Sequence, residues 1–407
     1  MRLLSPRGAV AVLLAAAVLT ATPVVTAAAA PARPDRVGLV NVVGASLTSS
    51  GATLTVDWAD VPGVDRYEVF ASPSYASLPT KTTPSVTVTG SKATVTRLDP
   101  GRDYYIQVRG VNSAGPGLRS LRIGHGTIAD EVSLRSGAPV HRVLSWNICS
   151  NACGSLATRT RAITSRIAEL KPDIVALQEA SKYTSAPTGY RHVVDGQNDI
   201  LVRRGEFGAV PGTASRPTSG SVRFASRHTT SGKGVAWAAL HHRSGAHVLV
   251  LDVHLVTGTS RSAVAQREYE AGRVSALVAS LRKKLAASHR SVADWTRVPV
   301  ILVGDFNTHK SRTDDDTMAV LEGSGYRDAF DQARALTRQH HNTANPDWST
   351  RPVIGQLWGA HVDKVVVKPS RTVVRSWANA GEMTSSRRYV TPLGSDHHPL
   401  LVELSLR

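Results

Sequence analysis

Hydrophobic and polar residues alternate with period two through a series of short runs between residues 35 and 128. The runs are TLTVDW (53–58), RYEVFAS (66–72), SVTVTG (85–90) and YYIQVRGVN (104–112), with Pro, Gly and Ser turns between them. Alternation of this kind predicts strands that each bury one face. Several such strands at this spacing predict an all-β sandwich over residues 35–128.

Beyond this region, longer apolar runs alternate with segments whose apolar residues fall at helical spacing. One predicted helix passes through Ile163 and Ile167 and ends before Pro172, and a second has its apolar face between Val274 and Leu285. Strands with intervening helices indicate packed sheets with helices outside, so residues 140–407 are expected to form an α+β domain after a polar linker at 129–139. The predicted strands are RVLSWNI (142–148), DIVALQEA (173–180), HVLVLDVHLV (247–256), VPVILVGDFN (298–307), VDKVVV (362–367) and PLLVELSL (399–406).

Residues 1–30 have the pattern of a secretory signal peptide. Arg2 and Arg7 precede an apolar run from Ala9 to Ala21, and small residues, TAAAA, follow at 26–30. The alternative is a membrane anchor, but the apolar run is shorter than the roughly 20 residues that a span requires. We therefore expect a secreted, extracellular protein without stable membrane insertion.

The 407 residues carry a formal net charge of +17, and this charge is unevenly distributed. Residues 35–128 contain nine basic and seven acidic side chains, whereas residues 129–407 carry a net charge of +12. A basic surface favours polyanionic partners such as nucleic acid or anionic lipid. The alternative is an arginine-rich surface without a specific partner.

The two cysteines, Cys149 and Cys153, lie close together in WNICSNACG. In an oxidising compartment such a pair is expected to form a disulfide. The alternatives are two free thiols or two ligands of a metal site.

Carboxylate, amide and imidazole side chains stand at the ends of the predicted apolar strands, where loops form sites. Oxygen donors of this kind suit a hard cation, with Mg²⁺ expected first and Mn²⁺ or Ca²⁺ as alternatives. Histidines suit proton transfer or stabilisation of charge on a phosphoryl group. Taken singly, each residue has an ordinary interpretation as a turn, a cap or a surface side chain. The set is Asn147, Glu179, His254, Asp305, Asn307, Asp363, Asp396 and His397.

The segment RLDPGRDYYIQVRGVNSAGPG (97–117) resembles the region around the tyrosine corner of fibronectin type III domains, with Tyr104 as the corner tyrosine. Trp58 stands where that family buries a core tryptophan. The resemblance implies a structural module at 35–128 that binds a polymer or a surface, and no chemistry is visible in it.

Six motifs in order, WN, LQE, DVHL, GDFN, HVDKVVV and SDHHPL, resemble the endonuclease/exonuclease/phosphatase superfamily over residues 140–407. That superfamily includes deoxyribonuclease I, abasic-site endonucleases, bacterial sphingomyelinases and inositol phosphatases. The resemblance implies a four-layer α+β sandwich, deoxyribonuclease I-like, in which two central sheets are flanked by helices.

The resemblance also implies a metal-binding set. Glu179 matches the principal metal ligand, and Asn147 matches the asparagine that helps to position metal and phosphate. Asp396, the acid before the catalytic histidine, is the third member of this set.

The expected catalytic set has five members. His254 matches the histidine that contacts the scissile phosphate, and Asp305 and Asn307 match the pair that orients the attacking water. His397 matches the catalytic histidine, and Asp363 resembles the acid that orients it. Whether His397 or Asp305 is the general base stays open at this point.

Four positions depart from the family pattern. Asp252 and Val253 replace the usual Asn-Thr, Cys149 stands where the abasic-site branch has an acid, and Lys364 replaces an aromatic. Asp199 is a candidate for the carboxylate that partners the second histidine in deoxyribonuclease I. These departures leave the branch and the substrate open.

The sequence therefore predicts a secreted, divalent-metal-dependent phosphodiester hydrolase, with a nuclease acting on extracellular nucleic acid as the leading interpretation. A sphingomyelinase-like phospholipase or a phosphatase is the first alternative, and a non-catalytic binding protein is the second. We expect a monomer whose catalytic domain works without the fibronectin-like module.

Overall fold

A computed structural model of the chain describes residues 31–407. The predicted signal peptide, residues 1–30, lies outside the described residues. Within residues 31–407, no helix combines the length and the apolar composition needed to cross a bilayer.

The N-terminal module is a two-sheet sandwich with a tyrosine corner. The Tyr104 hydroxyl accepts a hydrogen bond from the Asp99 backbone N–H at 3.0 Å, and Trp58 packs edge-on against Tyr67 with ring centroids 5.2 Å apart. The predicted fibronectin type III fold is confirmed. Its strands are β1 (Asn41–Thr48), β2 (Gly51–Asp57), β3 (Arg66–Ser72), β4 (Val86–Val88), β5 (Lys92–Leu98), β6 (Asp103–Asn112), β7 (Gly115–Pro116) and β8 (Ile123–Gly126).

The rest of the chain forms an α+β domain with two facing sheets. The helices are α1 (Leu156–Leu170), α2 (Arg261–Ser288), α3 (Thr317–Glu322) and α4 (Ala329–Gln332). The strands are β9 (His141–Asn147), β10 (Ile174–Gln178), β11 (Tyr190–Val194), β12 (Asn198–Arg203), β13 (Phe207–Ala209), β14 (Ser219–Arg223), β15 (Gly234–His242), β16 (His247–His254), β17 (Val300–Asp305), β18 (Arg327–Asp328), β19 (Ala335–Thr337), β20 (Asp363–Val367), β21 (Thr372–Asn379) and β22 (Leu400–Leu406).

Helices cover the outer faces of both sheets. The first sheet has the order β11-β12-β10-β9-β22-β21-β19, and the second has the order β13-β15-β16-β17-β20-β18, with β14 paired to β15. Ile163 and Ile167 of α1 pack on the outer face of the first sheet against Leu177. Val274 of α2 packs on the outer face of the second sheet against Leu302. The predicted four-layer sandwich is confirmed.

Parallel pairing brings several strand ends to one edge of this sandwich. Strands β9 and β10 run parallel, so Asn147 lies opposite Gln178. Strands β16 and β17 also run parallel, so His254 lies opposite Asp305, and the antiparallel β20 begins there with Asp363 opposite Asp305. Polar residues that are distant in sequence therefore meet at this edge.

Gly304 permits the close approach of β16 and β17 next to that edge. Its φ is +147°, and a Cβ placed on it would lie 1.9 Å from the Val253 carbonyl oxygen. No side chain fits in this space, and glycine adopts such a φ without steric cost. The glycine of the GDFN motif is thus required by the backbone.

The first sheet does not stop at β19 but continues into the module. Gly44 of β1 pairs with Ala335 of β19, and the Ala45 N–H donates to the Arg334 carbonyl at 3.2 Å. A Cβ on Gly44 would lie 2.9 Å from that same carbonyl oxygen, so glycine is needed for the approach. The result is one ten-stranded sheet that runs from β11 through β19 and β1 to β5.

The second sheet of the module also docks on the catalytic domain. The Gly124 N–H donates to the Leu357 carbonyl at 2.7 Å, and the His125 ring packs on Phe330 at a tilt of 42° with ring centroids 4.5 Å apart. A Cβ on Gly124 would lie 2.6 Å from the Trp358 ring. The module and the catalytic domain are therefore in direct contact at Gly124 and His125.

An ion-pair network closes the rim of this interface. The Lys310 ammonium lies 2.6 Å from an Asp103 oxygen of the module and 2.9 Å from an Asp331 oxygen of the catalytic domain. Burial opposes the charge of Lys310, but the Asp331 and Asp103 carboxylates outweigh it and hold the lysine pKa above its usual range. Glu131, inside the predicted linker, pairs with Arg334 at 2.6 Å.

The interface changes the expectation that the catalytic domain works alone. One continuous cluster of buried apolar residues contains both Val95 of the module and Ile301 of the catalytic domain. Val132, in the first half of the predicted linker, is itself buried. The module is therefore part of the same folded unit as the catalytic domain.

A chain that begins at Gly137 should be markedly less stable than one that begins at residue 31. Truncation exposes Phe330 and Trp358, and burying one large apolar side chain contributes about 1.5–3 kcal/mol. We expect the melting temperature to fall by roughly 6 °C or more, measured by calorimetry with the longer chain as the reference. Equal melting temperatures would contradict the interpretation of the module as part of the folded unit.

Candidate active site

Asn147, at the end of β9, lies between two carboxylates. Its side-chain Nδ2 donates to an Asp305 oxygen at 3.1 Å and lies 3.4 Å from a Glu179 oxygen. Its Oδ1 accepts the Cys149 backbone N–H at 3.0 Å, which fixes the orientation of the amide. Two acids from different sheets are thus held on one amide group.

His254, at the end of β16, faces the same two carboxylates. Its Nε2 lies 3.9 Å from a Glu179 oxygen and 3.7 Å from an Asp305 oxygen. Burial is the main cause that lowers the pKa of His254 to about 4, and the nearby positive charge of Lys233 lowers it further. His254 is therefore neutral at pH 7.

His397 and Asp363 form a second pair at this edge. The His397 Nδ1 donates to an Asp363 oxygen at 2.9 Å, and Asp363 is fully buried. Burial disfavours the imidazolium, but the charge of Asp363 and its hydrogen bond reverse this and raise the pKa of His397 to about 10. His397 is therefore charged at pH 7, the opposite of His254.

Three residues of this site have left-handed backbone conformations that side chains rarely adopt. The φ angles are 54° at Glu179, 51° at Asn307 and 45° at Cys149. Each such residue costs of order 1–3 kcal/mol, and residues of this kind cluster where function requires a fixed side chain. Asn307 is held there by its own bonds, since its N–H donates to Asp305 and its Nδ2 to the Leu255 carbonyl.

The structure thus brings together seven of the eight residues that the sequence singles out. Asp396 is the exception, because its carboxylate lies beside the sulfur atoms of Cys149 and Cys153 and accepts the Ser395 hydroxyl at 3.0 Å. Within residues 31–407 it makes no hydrogen bond to Glu179. The expected metal-binding role of Asp396 therefore finds no support in this geometry, although Asp396 remains a neighbouring negative charge for His397.

The two cysteines are joined in a disulfide, as expected, and the disulfide closes the loop that follows Asn147. Inside this loop the Ser150 N–H donates to the Glu179 carbonyl at 2.8 Å. The loop therefore supports both Asn147 and Glu179. With both sulfur atoms in the disulfide, neither is available as a metal-binding thiolate.

Arg159 of α1 organises the same loop and was not predicted from the sequence. The guanidinium is buried and donates to the carbonyls of Ile148, Cys149, Cys153, Gly154 and Gly394. It connects the loop after Asn147 to the loop before His397. One signal was visible, because Arg159 lies on the same helical stripe as Ile163 and Ile167.

An open cleft beside His254 was also not predicted. It encloses about 430 Å³ and is lined by Asn198 of β12, Arg223 of β14 and Lys233 before β15. Within residues 31–407, the side chains of Arg223 and Lys233 form no ion pair. The cleft brings three distant segments together, so no local sequence signal marks it.

The departure at Asp252 has a physical explanation. Asp252 is fully buried, and its Oδ1 accepts a hydrogen bond from Gln178 Nε2 at 2.7 Å. Burial raises the pKa of Asp252 well above its usual range, which favours the uncharged carboxyl group. In that form the side chain resembles the asparagine amide that the family pattern has at this position.

The donor groups at the edge fit a hard divalent cation. The carboxylates of Glu179 and Asp305 both lie within 4 Å of the neutral His254 ring. Donor atoms of Asp305, Asp363 and His397 lie within 4.8 Å of one another, and one Asp363 oxygen is buried without a hydrogen-bond partner among residues 31–407. Oxygen-rich sets of this kind are those that Mg²⁺ and Mn²⁺ prefer.

Comparison with protein-family models gives two matches. The model of the endonuclease/exonuclease/phosphatase family matches residues 144–397, and the model of the fibronectin type III domain matches residues 40–124. A search of curated proteins found no match.

Several solved structures have a similar fold. An endonuclease/exonuclease/phosphatase family protein from Bacteroides thetaiotaomicron is 18% identical over 66% of this chain and 99% of its own, with a TM-score of 0.46. A mannosyl-6-phosphatase from the same organism is 16% identical over 65% of this chain and 100% of its own, with a TM-score of 0.46. The TDP2 protein of D. rerio, complexed with single strand DNA product, is 15% identical over 65% of this chain and 99% of its own, with a TM-score of 0.42.

His397 and Asp363 should act as one unit in any phosphoester hydrolysis at this site. Proton transfer or charge stabilisation of this kind contributes typically ~10²–10⁴-fold, so His397→Ala should lower kcat by at least that range. Asp363→Asn should lose much of the same factor, and the double variant should be hardly worse than His397→Ala, because coupled residues are not additive. The measurement is kcat on a chromogenic phosphodiester, with melting curves as the folding control. Independent, multiplicative losses would mean that Asp363 does not act through His397.

Proposed function

Because residues 144–397 place this chain in the endonuclease/exonuclease/phosphatase family, we propose that it is a secreted, divalent-metal-dependent phosphodiesterase that cleaves extracellular nucleic acid. The family is a superfamily of phosphoester hydrolases whose members generally use a divalent metal. The observation that carries the proposal is the pair of histidines, neutral His254 and positively charged His397, beside the Glu179 and Asp305 carboxylates and next to a cleft lined with cations.

In this proposal, Glu179 would hold the cation with support from Asn147. When bound, a divalent cation would neutralise the anionic phosphoryl oxygens and lower the pKa of a coordinated water. The neutral His254 ring donates a hydrogen bond to a nonbridging oxygen of the scissile phosphate. The remaining chemistry falls to His397 and Asp305.

His397 serves as the charged partner of the reacting phosphate. Its imidazolium, held by Asp363, stabilises the negative charge that develops in the transition state and can donate a proton to the leaving oxygen. A group that is protonated at pH 7 is not a base there. We therefore assign the orientation and deprotonation of the attacking water to Asp305, whose position is fixed by Asn147 and Asn307.

The cleft beside His254 favours a substrate with more than one phosphate. Lys233 and Arg223 are unpaired cations among the described residues, and both line the cleft next to the reacting centre. In a nucleic-acid strand, each scissile phosphate has neighbouring phosphates that such cations can bind. The net charge of +12 on residues 129–407 also favours a substrate with several phosphates.

Secretion is part of the proposal and is supported by two observations. Residues 1–30 have the composition of a signal peptide, and the disulfide between Cys149 and Cys153 suits an oxidising compartment.

A phospholipid phosphodiesterase remains the second candidate, because one loop exposes apolar side chains. Trp348, Val353 and Ile354 are 36%, 42% and 43% exposed, and Trp348 lies against the loop closed by the disulfide. Exposed aromatic and aliphatic side chains near a site are typical of proteins that bind a lipid surface. Parallel assays on plasmid DNA, RNA and sphingomyelin vesicles decide between the candidates.

Activity should require a divalent cation, and Glu179 should control its affinity. We expect excess chelator to abolish hydrolysis and Mg²⁺ or Mn²⁺ to restore it. Glu179→Gln should raise the metal concentration needed for half-maximal activity, because glutamine keeps the shape of glutamate but removes the carboxylate ligand. The measurement is a metal titration of initial rates, with Glu403→Gln as a matched control on the distant β22. Full turnover in excess chelator would overturn the metal requirement.

Lys233 and Arg223 should matter only for substrates with neighbouring phosphates. One lost charge-assisted contact corresponds to roughly 1.5–3 kcal/mol, so Lys233→Gln should lower kcat/KM on DNA by at least about ten-fold. On a chromogenic diester with a single phosphate, the change should stay within about two-fold. Arg297→Gln is the matched control, because Arg297 is exposed and precedes β17 at the opposite end of the sheet from Asp305. Equal losses on both substrates would assign Lys233 to the reacting phosphate instead.

A further inference from the structure

The hairpin of β11 and β12 carries a second cluster of side chains that can ligate a metal ion. His192 stands on β11, Asp195 in the turn and Asp199 on β12, and their donor atoms lie within 4.8 Å of one another. Asp199 therefore faces His192, whose Nδ1 lies 3.5 Å away, and does not partner His254 as the family pattern had indicated.

The partners of these side chains are incomplete. Asp199 is fully buried, and its Oδ1 accepts the Gly196 N–H at 2.6 Å. Its Oδ2 and both ring nitrogens of His192 are buried without a hydrogen-bond partner in the described part of the chain. Buried polar atoms are paired in the great majority of cases, and a buried carboxylate without full compensation is costly. Three metal-ligating atoms without a hydrogen-bond partner at one place indicate that a ligand binds there.

We propose that His192, Asp195 and Asp199 bind a second divalent cation, of the borderline type represented by Zn²⁺. One imidazole nitrogen and two carboxylate oxygens are a ligand set that zinc accepts, whereas Mg²⁺ and Ca²⁺ prefer oxygen alone. Asp195 is exposed, so the cation can enter from solvent and keep a water ligand on that side. This site is separate from the Glu179 set and independent of the proposed function.

A cation at this hairpin would stiffen a segment that supports the active site. The Gln197 carbonyl, between Asp195 and Asp199, accepts the N–H of Ala180, the residue next to Glu179, at 3.0 Å. The Gln197 side chain also accepts a hydrogen bond from Asn151 at 2.8 Å, within the loop closed by the disulfide. The proposed cation therefore fixes the backbone next to Glu179 without touching the substrate.

The test counts zinc bound to the whole chain. The protein is stripped with chelator, dialysed against Zn²⁺ and analysed for bound metal. We expect His192→Gln and Asp199→Asn each to bind one Zn²⁺ fewer than the unaltered chain, or to bind it at least about ten-fold more weakly. Glu179→Gln should remove a different zinc ion, so combining it with His192→Gln should remove both.

The control is His241→Gln, which removes an exposed histidine of β15 and should leave the zinc count unchanged. Asp195→Asn decides the matter if the buried variants fail to fold, because Asp195 is exposed and its replacement leaves the hairpin intact. If His192 and Asp199 only contact each other and hold no cation, Asp195→Asn leaves the zinc count unchanged. An unchanged zinc count in Asp195→Asn would overturn the proposal.

Discussion

Two parallel strand pairs, β9 with β10 and β16 with β17, end at the same edge of the sandwich, and the arrangement of the site depends on this pairing. Each pair delivers polar residues directly after a fully buried strand, so the position of each side chain is fixed by core packing. Asn147 then joins the two sheets by binding Asp305, which belongs to the opposite one. The geometry of the site is a consequence of register, and a slip by one residue would turn these side chains away from the space between the sheets, toward the outer faces that the helices cover.

Environment gives chemically identical side chains different charges at this edge. His254 is buried and the His397 side chain is 13% exposed, and one is neutral and the other charged because only His397 has a buried carboxylate bound to its ring. Two buried carboxyl groups at this edge also differ in their partners. Burial raises the pKa of Asp252, whose Oδ1 accepts from the Gln178 amide, whereas Asp363 accepts from the His397 ring. Burial disfavours the charged form of a side chain, and a single hydrogen-bonded partner of opposite charge can reverse that effect.

The sequence was sufficient for the features that depend on local pattern. The apolar runs located six strands of the larger domain, β9, β10, β16, β17, β20 and β22. The spacing of Val274 and its successors located α2, and the ordered motifs located seven of the residues that meet at the edge. Features that depend on distant contacts could not be predicted. The cleft around Lys233 requires three segments to converge, and the position of Asp396 is decided by a loop held by Arg159. The docking of the module requires close backbone approach at Gly44 and Gly124, two glycines that look ordinary in a strand.

The continuation of the sheet through β19 and β1 has a consequence for how the larger domain meets other chains. Without the module, β19 would be a terminal strand with one row of unsatisfied amide and carbonyl groups, a template on which other chains can add. In this protein the fibronectin type III module covers part of that row, because Gly44 pairs with Ala335 and the Ala45 N–H donates to the Arg334 carbonyl. Replacing it with another module of the same fold would restore the risk of aggregation, unless the new partner also offered a glycine at the crossing point.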